Sequence, residues 1–129
     1  MHLSRNVGVS QGLRYRGGGP MWAWVLHRIT GLSILLFVSL HILASFTYHL
    51  LGLDFGATIN TVYESWIFQI FVVFIVLFHA LNGLRIAFLD IWPQFQKFQR
   101  EALWLEVAIF VPIYGLTVFF LVRNGLSGV

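Results

Sequence analysis

The sequence predicts an all-α membrane protein of three transmembrane helices, and three observations carry that reading. Of the 129 residues, 58% are hydrophobic and only 10% charged, with a mean hydropathy of +0.81. A globular domain carries about 25% charged residues, so this chain lacks the polar side chains to face water all round, and a soluble enzyme is excluded. The uncharged residues gather into three runs, each about as long as a bilayer is thick. No run shows the alternation of a barrel strand, and an open strand would leave backbone N–H and C=O groups unpaired in lipid.

The first run, Ile29 to Tyr48, has 20 residues without Asp, Glu, Lys or Arg, enough at 1.5 Å per residue to cross a hydrocarbon core of about 30 Å. The second, Trp66 to Leu84, has 19. The third, Ala102 to Val122, has 21, interrupted only by Glu106, and Pro112 within it is placed to kink the helix. With their flanks the helices are expected over about 22–51, 63–90 and 101–123, all within one membrane domain of residues 21–129. Residues 1–20 are polar and glycine-rich, ending in Gly17, Gly18, Gly19 and Pro20. Lacking an apolar core segment, they are expected to form a flexible cytoplasmic arm and not a cleavable signal peptide. Trp22, Trp24, Trp66, Trp92 and Trp104 all fall near predicted helix ends, as interfacial aromatics do.

Basic residues set the expected orientation. Arg5, Arg14, Arg16 and Arg28 precede the first span, while the loop after it holds Asp54 and Glu64. Arg85, Lys97 and Arg100 surround the second loop, and Arg123 alone lies on the far side. The N-terminus is therefore expected in the cytoplasm of a multi-pass protein of the inner (cytoplasmic) membrane. The net charge of +3 is a topology signal of this kind and gives no reason to expect nucleic acid. With no Cys the chain has no disulfide, thiolate metal site or cysteine nucleophile. Redox chemistry, if present, must use histidine ligands or partners.

Two of the five histidines, His41 and His79, sit inside apolar spans, where an ionisable side chain is costly without a partner. His79 has Gly83 one turn along the same face, leaving room for a flat macrocycle, and a neutral imidazole is a good axial ligand of haem iron. The alternative is a histidine bonded to a Ser, Asn or carbonyl of a neighbouring helix, with Gly83 as a packing residue. His41 has the small Ala44 and Ser45 beside it, and the same two readings apply. Counted from Arg85, His79 lies roughly 9 Å deep, and counted from Arg28, His41 lies roughly 20 Å deep. The difference of roughly 11 Å rules out one shared iron and allows a second haem at His41. At the cytoplasmic end of the first span, Arg28 can donate to a quinone carbonyl or a haem propionate while Trp24 walls the site. The alternative there is a snorkelling Arg with an anchoring Trp. Arg85, Asp90 and Glu106 are expected as boundary charges, and His2 and His49 as solvated or interfacial histidines.

Taken together, Leu26-His27-Arg28-Ile29-Thr30-Gly31 and His79-Ala80-Leu81-Asn82-Gly83-Leu84-Arg85 followed by Asp90 resemble the cytochrome b subunits of succinate dehydrogenase, one of the two small membrane anchors of respiratory complex II. The resemblance covers roughly Met21 to Trp92, with the motifs His-Arg-x-Ser/Thr-Gly and His-x-x-x-Gly-x-Arg at the family's separation. It implies a place in a heteromeric anchor bundle that holds a flavoprotein subunit and an iron–sulfur subunit on the membrane beside a second small anchor subunit, carrying electrons from succinate to quinone. His79 is then an axial ligand of haem b, with the other ligand on the companion anchor. Arg28 lies at the quinone site and His27 near the haem propionates. Well-studied members place a quinone-contacting Ser where this chain has Trp24, so Trp24 is expected as a wall. Anchors with two haems use a first-helix histidine, here His41, so one haem or two are open, as are ubiquinone and menaquinone. Alternative readings are a quinol:fumarate reductase anchor, a structural membrane adaptor without haem, and a cytochrome b of another dehydrogenase or hydrogenase.

Overall fold

A computed structural model describes residues 17–128 together with Ser10. The fold is all-α. Helix α1, Gly18–Leu51, has 34 residues and is about 51 Å long. It begins inside the stretch assigned to the N-terminal arm, because Pro20 is tolerated in a first turn; the rest of the arm, His2 included, lies outside the described residues apart from Ser10 and Gly17. The helix stops at Gly52, whose φ of 64° is cheap only for a residue without Cβ.

A short helix follows that the pattern of uncharged runs does not predict. Helix α2, Asp54–Glu64, folds back along the far end of α1. There Gly56 is buried against the Ala44 carbonyl oxygen, and a Cβ on it would also fall 2.8 Å from Tyr48 Cβ. Tyr63 Oη donates to the Phe37 carbonyl at 3.0 Å, fixing the antiparallel register. At Ser65 the backbone turns extended, with ψ of 131°, and its Oγ accepts from the Phe68 N–H at 3.4 Å. That N-cap starts α3, Trp66–Ile91, three residues later than expected. A 3₁₀ segment, Pro93–Phe98, opens with a proline that cannot continue α3. Helix α4, Gln99–Ser127, is longer at both ends than the 101–123 expected and contains Pro112.

Among the described residues three helices, α1, α3 and the segment Pro93–Ser127 that includes α4, are long and apolar enough to cross a membrane. Helix α3 packs along both of the others. On the α4 side Phe74, Phe78, Phe110 and Tyr114 stack edge-to-face or offset, with centroids 5.3 to 6.3 Å apart, and Tyr114 Oη donates to the Ile70 carbonyl at 3.3 Å. On the α1 side the contact is polar and carries the site. Few side chains are buried among the described residues: Ala23, Ala44 and Leu89, with the polar Thr30, Asn82 and Glu106. Large apolar side chains such as Leu32, Leu35, Phe71, Leu84 and Phe119 face outward, as expected of helices whose solvent is lipid or another membrane chain.

Candidate functional site

The sequence motifs of α1 and α3 meet face to face. The rings of His27 and His79 stack with centroids 4.0 Å apart and planes 4° from parallel. His79 Nδ1 lies 3.1 Å from the His27 carbonyl oxygen and 3.3 Å from Thr30 Oγ1, while the Thr30 hydroxyl donates to that same carbonyl at 2.9 Å. A carbonyl only accepts, so Nδ1 must carry the proton and donate. The basic lone pair is thereby placed on Nε2, which has no hydrogen-bond partner among the described residues. An imidazole held in this tautomer by a backbone carbonyl is the usual state of a metal-ligating histidine.

Two glycines make the stack fit. The room left by Gly83 holds the His27 ring, whose Cε1 lies 3.3 Å from where a Cβ would be, as the packing reading of this glycine expects. Across the interface, Gly31 does the same for His79, whose Cε1 lies 3.0 Å from that position. Each glycine therefore serves the histidine of the other helix. A single helix face cannot reveal this pairing.

At the outer end of the site, Arg28 lies over Trp24, with Cζ 4.2 Å from the ring centroid, and both side chains are exposed. Trp24 also walls a cleft of about 150 Å³ shared with Arg85, Asp90, Gln96 and Gln99. Here the boundary-charge expectation fails for two residues. Arg85 pairs with Glu106 of α4, not with Asp90: its Nε donates to Glu106 Oε2 at 2.7 Å, with side chains 9% and 4% exposed. Its Nη2 donates to Oδ1 of the fully buried Asn82 at 2.6 Å. The signal was present but weak, a lone carboxylate in an apolar run and an Asn three residues before an Arg on one helix face.

His41 lies far from this cluster. His79 sits opposite His27 and Gly31, so His41 is deeper along α1 by roughly 15–20 Å, more than the 11 Å counted from the flanking arginines. The count assumed that Arg28 and Arg85 mark one depth, whereas His79 is level with the turn of Arg28 and Arg85 lies further out. The exposed His41 ring leans on Tyr63, 5.4 Å away between centroids, beside a cavity of about 390 Å³ that Asn60, Glu64 and Gln69 also line. Burial raises the pKa of the Tyr63 phenol above its ordinary value. His49 is exposed, with its ring 5.0 Å from that of Tyr48.

Residues 9–122 match the model of a family described as the succinate dehydrogenase/fumarate reductase transmembrane subunit. The chain belongs to this family. It is also 36% identical over 111 residues to the succinate dehydrogenase 2 membrane subunit SdhC of Mycobacterium tuberculosis, a match covering 80% of this chain and 81% of that one. This succinate dehydrogenase/fumarate reductase transmembrane subunit is thus a multi-pass membrane protein and a non-catalytic part of an enzyme complex. In such a subunit the α1–α3 contact is the place to test. Gly31→Val would drive a branched side chain into the His79 ring, and overpacking of this kind typically costs about 1–3 kcal/mol. The expected result is a displaced His79 and a complex that melts at lower temperature; thermal stability identical to wild type would count against the placement of His79 on Gly31.

Proposed function

We propose that this subunit binds haem b through His79 Nε2 and anchors a succinate:quinone oxidoreductase, letting electrons pass from an iron–sulfur subunit to quinone at the cytoplasmic end of the bundle. The observation that carries the reading is the pinned tautomer of His79, with Nδ1–H donated to the His27 carbonyl and Nε2 without a partner among the described residues. No cluster of three or more His, Cys, Asp or Glu side chains converges among those residues, so the donor set suits a metal that arrives with most of its ligands, as haem iron does. When bound, haem supplies a one-electron carrier within the membrane. The chain's own part is to orient the imidazole through Thr30 and the His27 carbonyl, and to exclude bulk from the contact through Gly31 and Gly83. Arg28, resting on Trp24, offers a charge-assisted donor to a quinone carbonyl.

In this reading the N-terminus is cytoplasmic, the second axial ligand and part of the quinone site come from a second small anchor, and a flavoprotein with an iron–sulfur subunit docks on the cytoplasmic side. Succinate never meets this chain. Running in reverse, the same residues serve a quinol:fumarate reductase. Affinity purification of the tagged chain tests the reading: a flavoprotein and an iron–sulfur protein should co-purify, and the reduced-minus-oxidised spectrum should carry a b-type band. A complex without that band would leave a structural adaptor. For His41 the expected role is packing against Tyr63. His41→Ala should leave one haem per complex by pyridine haemochrome, whereas a fall from two to one would make His41 a ligand.

A further inference from the structure

Arg85 is doubly held but not used up. Of its guanidinium donors, Nε is committed to Glu106 and Nη2 to Asn82, while Nη1 has no partner among the described residues, and the side chain lines the cleft walled by Trp24. Asn82 is completely buried and Glu106 nearly so, so the clamp is anchored on two helices and away from solvent. The Glu106 carboxylate also cancels the charge of Arg85. A naked buried guanidinium would select an anion, but a neutralised one that still presents N–H groups suits a neutral acceptor such as a carbonyl oxygen.

We propose that Glu106 is a positioning residue of the quinone site: it holds Arg85 so that the remaining guanidinium edge donates to a quinone carbonyl in the cleft beside Trp24. This rests on the functional reading above and adds a second donor to Arg28, reached from the third helix. Two variants of the assembled complex test it, with a short-chain quinone as acceptor. Glu106→Gln frees Arg85 to turn away and should raise the quinone KM about tenfold, the cost of one misplaced charge-assisted hydrogen bond. Its kcat, its haem band and succinate oxidation by a soluble dye should stay near wild type, and Glu106→Asp should recover most of the KM. The paired replacement Arg85→Met with Glu106→Met keeps the helices packed, since a buried ion pair exchanged for apolar residues of similar volume is tolerated. It should show the same raised KM, which a merely structural clamp would not. The wild-type complex is assayed first. No quinone reduction there overturns the functional reading itself; a wild-type KM in the paired variant overturns this proposal alone, even if Glu106→Gln fails to assemble.

Discussion

Replacing His79 by alanine is expected to abolish the b-type haem spectrum of the complex while leaving the chain in the membrane. The imidazole supplies the lone pair on Nε2, while the His27 ring stacked flat against His79 at 4.0 Å has a buried Nδ1 of its own without a hydrogen-bond partner among the described residues. Loss of a residue that merely orients a ligand typically costs 10–100-fold in metal affinity, and loss of the ligand itself should exceed that. The surroundings survive the change, because the Thr30 hydroxyl already donates to the His27 carbonyl and leaves no buried acceptor bare. Pyridine haemochrome content per assembled complex is the measurement. A full complement of haem with an unchanged midpoint potential would refute the ligand assignment.

Arg28→Ala is the second large effect. It should lower the rate of quinone reduction about 10- to 100-fold, the kinetic equivalent of the roughly 1.5–3 kcal/mol carried by a hydrogen bond to a charged group. Electron transfer from succinate to a soluble dye acceptor should remain intact, since in the proposed function succinate is oxidised on another subunit. Trp24→Ala should be milder, because the stacking of the guanidinium on an exposed ring is worth about 0.5–1 kcal/mol. Arg28→Lys should recover only part of the loss, as an ammonium keeps the charge without the planar donor fork. Normal quinone turnover in Arg28→Ala would remove Arg28 from the site.

The sequence was most legible where a single helix carries the information. Three runs of bilayer length, uncharged but for Glu106, became the three spans, because a helix satisfies its own backbone and needs no partner to be recognised. His79 stood out for the same local reason, an imidazole inside an apolar run. What stayed hidden depends on two helices at once. The glycines exchange partners across the α1–α3 contact, the Arg85–Glu106 pair joins residues on α3 and α4, and the depth of His79 is set by the register of α3 against α1. None of these follows from periodicity within one segment. Helix α2 escaped for another reason: its 11 residues are too short and mixed to stand apart from a loop, and what defines it is Gly56 lying under the Ala44 carbonyl.

The sparse interior has a consequence for how this chain tolerates mutation. Lipid tails are as apolar as leucine, so sequestering another leucine between these helices gains little. The specification of the helix register is therefore concentrated in a handful of positions: the buried Thr30, Asn82 and Glu106, the small Ala23, Ala44 and Gly56, and the paired glycines beside the histidines. A saturation mutagenesis map of the chain should accordingly be uneven, with outward residues such as Leu32, Leu35 and Phe119 exchanging freely among apolar types. Intolerance should collect in narrow polar and small-residue seams along α1 and α3 and at the positions of α2 and α4 that face them, the reverse of a water-soluble protein, whose least replaceable positions are its large apolar ones.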